Sequence, residues 1–409
     1  MNENSVALPV RSSTPLLRMI LILGALTAIA PLSIDLYLPS FPSLAKSYSV
    51  DPGRVQATLS IFFIGLAFGQ AIYGPLADRY GRRRPLLIGI AIYVAASLLA
   101  PFGPTIDSLI ALRLLQALGG CAGLVISRAV VRDLFNERES ARVFSTLILI
   151  MGLAPILAPM IGGYILTMAG WRAIFLVLAG FGVMSLVSSW AGLAETLPVE
   201  ARRRDDLGGV FRNYGRLMVN RRFIAPALAA SLIMAGLFGY IANSPFVFIQ
   251  LHGVTPKQFG ILFGMNALGL VTASQINRVM LSRWPPRAIL GGAIAANVTA
   301  ALILLAVAGS SSLVVFLVPL WFFIATLGFL NPNAVAIAMS ASGHHAGSAS
   351  ALMGIMQFTA GALAGGLVGG FHNGTAYPMA MTIAGFSLAG GIVYAVGGDR
   401  RAKQRSLSR

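Results

Sequence analysis

The chain has 409 residues, 56% of them apolar and only 11% charged, with a mean hydropathy of +0.79. Soluble domains carry about 25% charged residues, so an ordinary water-soluble fold is excluded. The net charge of +17 would suggest a nucleic-acid partner in a soluble protein, so the placement of the basic residues matters, while the single cysteine, Cys121, excludes an internal disulfide framework or a cysteine-rich metal site.

Apolar runs of about 18 or more residues can cross roughly 30 Å of hydrocarbon as helix. Twelve are predicted. The first six are Leu16–Leu38, Val55–Ala77, Pro85–Ala100, Ser108–Ser127, Val143–Met168 and Ala173–Leu193. The second six are Phe223–Phe248, Gln258–Ile276, Ala288–Ala308, Leu313–Ala338, Ser348–Gly370 and Tyr377–Val396. The longest polar stretch, Ala194–Arg222, divides them. The expected organisation is all-α, with twelve transmembrane helices in two six-helix halves, 1–193 and 223–396, a cytoplasmic linker at 194–222 and a basic cytoplasmic tail at 397–409. In the linker, Val210, Phe211, Tyr214, Leu217 and Met218 recur at helical spacing beside Arg212 and Arg216, which suits either a helix on the membrane surface or a solvated connector.

With the N-terminus inside, 25 of the 30 Lys and Arg residues fall on the cytoplasmic side, and only Lys46, Arg54, Arg172 and Lys257 on the other. That asymmetry is the one the positive-inside rule requires, and it predicts a multi-pass protein of the cytoplasmic (inner) membrane with both termini cytoplasmic. Scattered along one membrane face, the basic residues account for the net charge without nucleic acid. Arg11 and Arg18 before the first apolar run imitate a secretory signal, but Pro31 and the continuation to Leu38 argue for a retained span.

Of the acids, Asp35 alone lies within a span; of the bases, only Arg113 lies well inside one. A charge at a helix centre costs roughly 2.5 to 3.5 kcal/mol on insertion scales, so both demand an explanation. Span one reaches Asp35 about four residues before its end and span four reaches Arg113 about five residues after its start. At about 1.5 Å per residue both sit roughly 6 to 8 Å below the same face and are level enough to pair. Such a pair can be structural, fixing helix packing. An intramembrane acid facing a cavity instead marks a substrate or proton path, because burial favours the neutral carboxyl and a nearby guanidinium the ionised one. One proton moving down the membrane potential releases roughly 2.3 kcal/mol per 100 mV, against about 1.4 kcal/mol for a tenfold uphill gradient of a neutral solute.

After span two comes Gly74-Pro-Leu-Ala-Asp78-Arg79-Tyr80-Gly81-Arg82-Arg83-Arg84. This resembles the loop signature of the major facilitator superfamily. The two six-span halves fit that superfamily's plan, and the chain looks more closely like the twelve-helix drug:proton antiporters of the Bcr/CflA type. Supporting stretches are Ser33-Ile-Asp35-Leu-Tyr37-Leu-Pro39, Arg113-Leu-Leu-Gln116-Ala117, Ala129-Val-Val-Arg132-Asp133-Leu-Phe135, Gly170-Trp-Arg172, Ser244-Pro-Phe-Val-Phe248 and Ala346-Gly-Ser348-Ala-Ser-Ala-Leu352. The resemblance implies a monomeric carrier of small amphipathic compounds or drugs, driven by protons through alternating access. Asp35 and Arg113 would couple the proton, and Gly74, Asp78, Arg79, Gly81 and Arg82 would form a conformational latch. Gly74 is expected to admit a neighbouring backbone. Asp78, disfavoured by the dipole at the end of its own helix, is expected to face the start of span eleven, where Ser348 can cap the helix.

Span five carries Ala154-Pro155, Ala158-Pro159 and Gly162-Gly163 at four-residue spacing, which resembles the antiporter kink motif with alanines in place of the glycines before each proline. Candidate substrate contacts are the remaining span-borne polar and aromatic groups Tyr37, Gln116, Tyr240, Asn243, Phe263, Asn266, Asn331, Gln357 and Phe358. Gln116, three residues from Arg113, shares its helix face. No phosphate-binding Gly-x-x-x-x-Gly-Lys-Ser/Thr loop, zinc-protease or nucleophile-elbow motif occurs, and His252, His344, His345 and His372 fall in predicted loops, so no cofactor, metal or catalytic activity is expected. The rival readings are a metabolite carrier for amino acids or sugars, by uniport or symport, and a membrane enzyme or receptor on the same scaffold.

Overall fold

The computed structural model describes residues 16–202, 207–343 and 346–407, and no strand occurs among them. Arg11, the run Arg203–Asp206, His344, His345 and Arg409 lie outside the described residues, as do the side chains of Val210, Phe211 and the basic tail.

The first helices in chain order are α1 (Leu16–Asp35), α2 (Phe41–Tyr48), α3 (Pro52–Tyr80), α4 (Arg83–Leu99), α5 (Ile106–Leu134) and α6 (Glu137–Gly192). There follow α7 (Leu207–Val219), α8 (Arg221–Pro245), α9 (Pro256–Met280), α10 (Pro286–Ala306), α11 (Leu313–Ser340), α12 (Ala346–Gly370) and α13 (Tyr377–Leu407). Eleven stretches among the described residues are long and apolar enough to cross a bilayer. One of them, Arg142–Gly192, has 51 residues, far more than the roughly 20 that one crossing takes. It is broken at Gly170, whose φ of 75° leaves the helical region, and its two arms are the predicted fifth and sixth spans.

Local chemistry sets the helix starts. Asp51 accepts from the Gly53 amide at 2.7 Å with Pro52 in the first turn of α3. Thr105 with Ser108, Asn136 with Glu139, and Thr255 with Gln258 form reciprocal caps that satisfy amide groups left open at the first turn. Along the spans the pattern of soluble proteins is inverted. Leu115, Leu149, Trp190, Val314 and Phe322 face outward, whereas Arg113, Gln116, Asn243, Asn297 and Asn333 are buried, since only the protein interior can answer their polar groups within hydrocarbon.

α1, α3, α4, α5 and α6 pack on one another, as do α8, α10, α11, α12 and α13, with α9 held by α11. Between these two groups, α3 lies along α12 and the first arm of α6 along α9. The face at which α1 begins and α13 ends is termed the terminal face, the opposite one the distal face. α7 packs on α8 and α12, burying Tyr214 and Leu217 against Phe223, Leu352 and Met353 and leaving Arg212, Arg216 and Met218 exposed.

Close helix crossings rest on small residues. A Cβ at Gly123 of α5 would lie 2.6 Å from the Leu26 carbonyl oxygen of α1, too near for either backbone to stay in place. Gly123→Leu is expected to destabilise the fold by about 1–3 kcal/mol through overpacking, read as a lower melting temperature in detergent. Gly180→Ala, where nothing lies within 4 Å, should leave that temperature unchanged or slightly raised.

Candidate functional site

The site is built around Arg113, which is 0% exposed. Its Nη1 donates to Gln116 Oε1 at 2.6 Å, its Nη2 donates to the Ser33 carbonyl at 3.1 Å, and Gln116 Nε2 in turn donates to Ser97 Oγ at 2.8 Å. The guanidinium carbon lies 4.2 Å from the ring centroid of Phe62, 4.6 Å from Tyr37 and 6.0 Å from Phe175. Aromatic faces attract a desolvated cation, so rings, an amide and a carbonyl do here what a carboxylate usually does. Tyr37 is held in place by its hydroxyl, 2.8 Å from Thr58 Oγ1. Ser33 Oγ lies 2.8 Å from the Tyr93 hydroxyl, extending the polar cluster into α4.

Asp35 closes α1 and is 3% exposed. Among the described residues it makes no hydrogen bond and no ion pair, and the expected pairing with Arg113 is absent from this conformation. The reason lies in the arginine, whose two terminal nitrogens already donate within its own half and whose faces are covered by Phe62 and Tyr37; its Nε is buried without a partner. Asp35 instead lies within electrostatic range of Tyr240 on α8. The short helical turn Leu38–Ser40 that follows it packs on α8 and α9. Tyr240 accepts from Asn266 Nδ2 at 3.0 Å and stacks on Phe263 at 5.3 Å. Three of the predicted residues are thus brought together in the second half, facing the acid of the first.

The remaining candidates separate. Asn243 is no free cavity group: it accepts from Gln56 Nε2 of α3 at 2.5 Å, across the two halves. Phe358 joins an aromatic trio with Phe63 and Phe238, drawn from α12, α3 and α8, with ring centroids 4.6 to 6.5 Å apart. Gln357 Nε2 donates to Asn331 Oδ1 at 3.3 Å, and both residues are half-buried. Gln56, Phe62, Phe63 and Phe238 were not among the candidates; Gln56 is a span-borne amide and met the same criterion as Asn243, whereas the phenylalanines carry no signal that separates them from core.

The signature loop is arranged differently from expectation. Asp78 pairs with Arg82, one helical turn on, and Arg82 Nε donates to Asp133 Oδ2 of α5 at 2.9 Å. Burial works against the Arg82 charge, but hydrogen bonds to Asp133 and Asp78 outweigh it and raise its pKa. Among the described residues nothing bonds Asp78 to Ser348; it is Arg132 that approaches the start of α12, near Gly347. The local acid–base pair is nearer than α12 and satisfies Asp78 first. Gly74 also departs from expectation, since nothing lies within 4 Å of a Cβ placed there. Gly81 has a φ of +89°, and a side chain there would run into Glu195, whose carboxylate accepts from the Arg82 and Arg83 amides at 2.7 and 3.2 Å. Arg79 is exposed over the Tyr80 ring. In the second half the corresponding Asn277 accepts from Asn333 at 2.6 Å, a neutral pair in place of the charged one.

α6 runs on through Pro155 and Pro159, and its non-helical backbone lies at Gly170, between the arms that form the fifth and sixth spans. The small face of α6 serves close crossing: Gly162 abuts the Leu36 carbonyl and Gly163 the Pro256 carbonyl.

Comparison with known proteins agrees with this architecture. The chain is 38% identical to an uncharacterised MFS-type transporter of Bacillus subtilis, YdgK, over 88% of this chain and 90% of that one. It is 32% identical to the bicyclomycin resistance protein homolog of Haemophilus influenzae over 94% and 97%. Among solved structures the nucleoside transporter NupG matches with a TM-score of 0.72 over 93% of this chain and 99% of that one, at 14% identity, a likeness of fold alone. The family model of the Major Facilitator Superfamily matches residues 23–366. With a charged, caged site inside two facing helix groups and relatives matched along nearly their full length, the chain belongs to the Major Facilitator Superfamily.

Proposed function

We propose that this protein is a proton-coupled antiporter that exports small amphipathic compounds, drugs among them, across the cytoplasmic membrane by alternating access, acting as a monomer with both termini in the cytoplasm. The observation that carries the reading is Asp35: the one acid inside the predicted apolar runs, buried just before the turn that packs on α8 and α9, with no hydrogen bond or ion pair among the described residues. The name of the bicyclomycin-resistance relative supports the substrate class, and the distribution of Lys and Arg supports the orientation, which makes the distal face the outer one.

In this cycle Asp35 takes a proton from the outside when the outer face is open and gives it up to the cytoplasm when the inner face is open. Arg113 cannot answer Asp35 directly while Gln116 and Ser33 occupy it, so the two act through the positions of their helices. Its fixed charge favours ionised Asp35 whenever α1 brings the two closer, and substrate binding displaces the proton on the inward side. The Phe63–Phe238–Phe358 trio and the half-buried Gln357–Asn331 pair supply an apolar contact surface with a few hydrogen-bonding groups, the composition that suits amphipathic ligands. Rearrangement of the Asp78–Arg82–Asp133 cluster accompanies the switch at the cytoplasmic face. The membrane potential contributes roughly 2.3 kcal/mol per 100 mV for each proton carried inward.

Asp35→Asn is expected to abolish drug movement driven by a pH gradient in inverted vesicles while leaving drug-for-drug exchange intact; full proton-driven transport in that variant would refute the assignment. Arg113→Lys keeps the charge but loses the planar fork that reaches Gln116 and Ser33 together, and should slow transport by about tenfold, equivalent to about 1.4 kcal/mol, at unchanged membrane yield.

A further inference from the structure

The outer seam between the halves is layered. Outermost, the backbones of Gly53 in α3 and Gly369 in α12 touch, so that a Cβ on Gly53 would lie 2.5 Å from the Gly369 carbonyl oxygen. Innermost is the trio of Phe63, Phe238 and Phe358. Between them Gln56 Nε2 donates to Asn243 Oδ1, with the two residues 1% and 0% exposed. Two facing primary amides hold enough donors and acceptors to join twice. Here the second bond is missing: Gln56 Oε1 and Asn243 Nδ2 are both buried without a partner.

A buried polar atom left unpaired costs as much as, or more than, one net hydrogen bond contributes. The closed seam therefore holds one bond against two unmet groups. Opening would let water reach both amides, and the same seam between α3 and α12 already carries a notch of about 310 Å³ lined by Gly53, Ala57, Ser60 and Gly365.

We propose that the Gln56–Asn243 pair is a release element rather than a clamp: under-bonded when buried, it raises the outer-closed conformation relative to the outer-open one and keeps the seam able to part. The inference rests on the alternating-access reading above. Apolar side chains of like shape in place of both amides would remove the unmet groups and leave the seam equally or better packed, whereas removing one partner strips the other of its bond only in the closed state. The single and double substitutions therefore act in opposite directions.

Gln56→Met with Asn243→Leu is expected to hold the outer face shut, and Asn243→Leu alone to favour opening. Spin labels at Lys46→Cys and Asn373→Cys, exposed positions in the outer segments of the two halves, report the distance across the seam in a Cys121→Ala background, without substrate or pH gradient. The double variant should lower the ratio of long- to short-distance populations by about tenfold, or about 1.4 kcal/mol, and the single variant should raise it. A ratio in the double variant equal to or above that of the unsubstituted protein overturns the proposal, whatever happens to export. Gln56→Leu with Asn243→Leu carries the same expectation and serves if the first pair does not insert. A lowered ratio in the double variant, together with an unsubstituted protein that moves no drug, sustains the proposal and faults the drug-export reading instead.

Discussion

A charge placed in hydrocarbon has to be answered by the protein itself, and the answer given to Arg113 governs the rest of this molecule. It receives no carboxylate. A carbonyl, a side-chain amide and the faces of Phe62 and Tyr37 hold it instead. Had Asp35 been its partner, the pair would have been locked by mutual attraction at low dielectric. Because both terminal nitrogens of the arginine donate within its own half, Asp35 has no ion pair with it in this conformation.

The two halves solve the problem of buried polarity in different ways. The first keeps its charges: Arg113 in the span, and Asp78, Arg82 and Asp133 at the terminal face. The second uses neutral amides throughout. Asn297 donates to Thr326 and the Phe323 carbonyl and accepts from Ser387, Asn333 donates to Asn277, and Asn266 donates to Tyr240. Neutral groups cost less to keep dry and do not titrate, so the titratable groups Arg113 and the terminal-face cluster belong to the first half.

Much of this was readable from composition and spacing. Long apolar runs give the spans, and the break between the fifth and sixth follows from Gly170 and its polar neighbours. Asp35 and Arg113 stand out because charges within spans are rare. Their mutual geometry was not readable, since depth along a helix says nothing of rotation about its axis. Asn243 was legible as a polar residue in a span but not as one side of a bond to Gln56, 187 positions away. Asp78 misled for a different reason: the distant partner implied by family architecture competes with Arg82 four residues on, and the nearer group prevails in this conformation.

At the terminal face Arg82 joins the ends of α3 and α5, while Glu195, just beyond α6, caps the start of α4 and Thr196 donates to Asp133. Four helix ends share one knot. A bundle tied at one extremity swings as a lever, and across roughly 30 Å of hydrocarbon a tilt of about 10° displaces the far ends by about 5 Å. Small adjustments of ionic contacts at the terminal face are by this geometry magnified into displacements of several ångströms at the distal face.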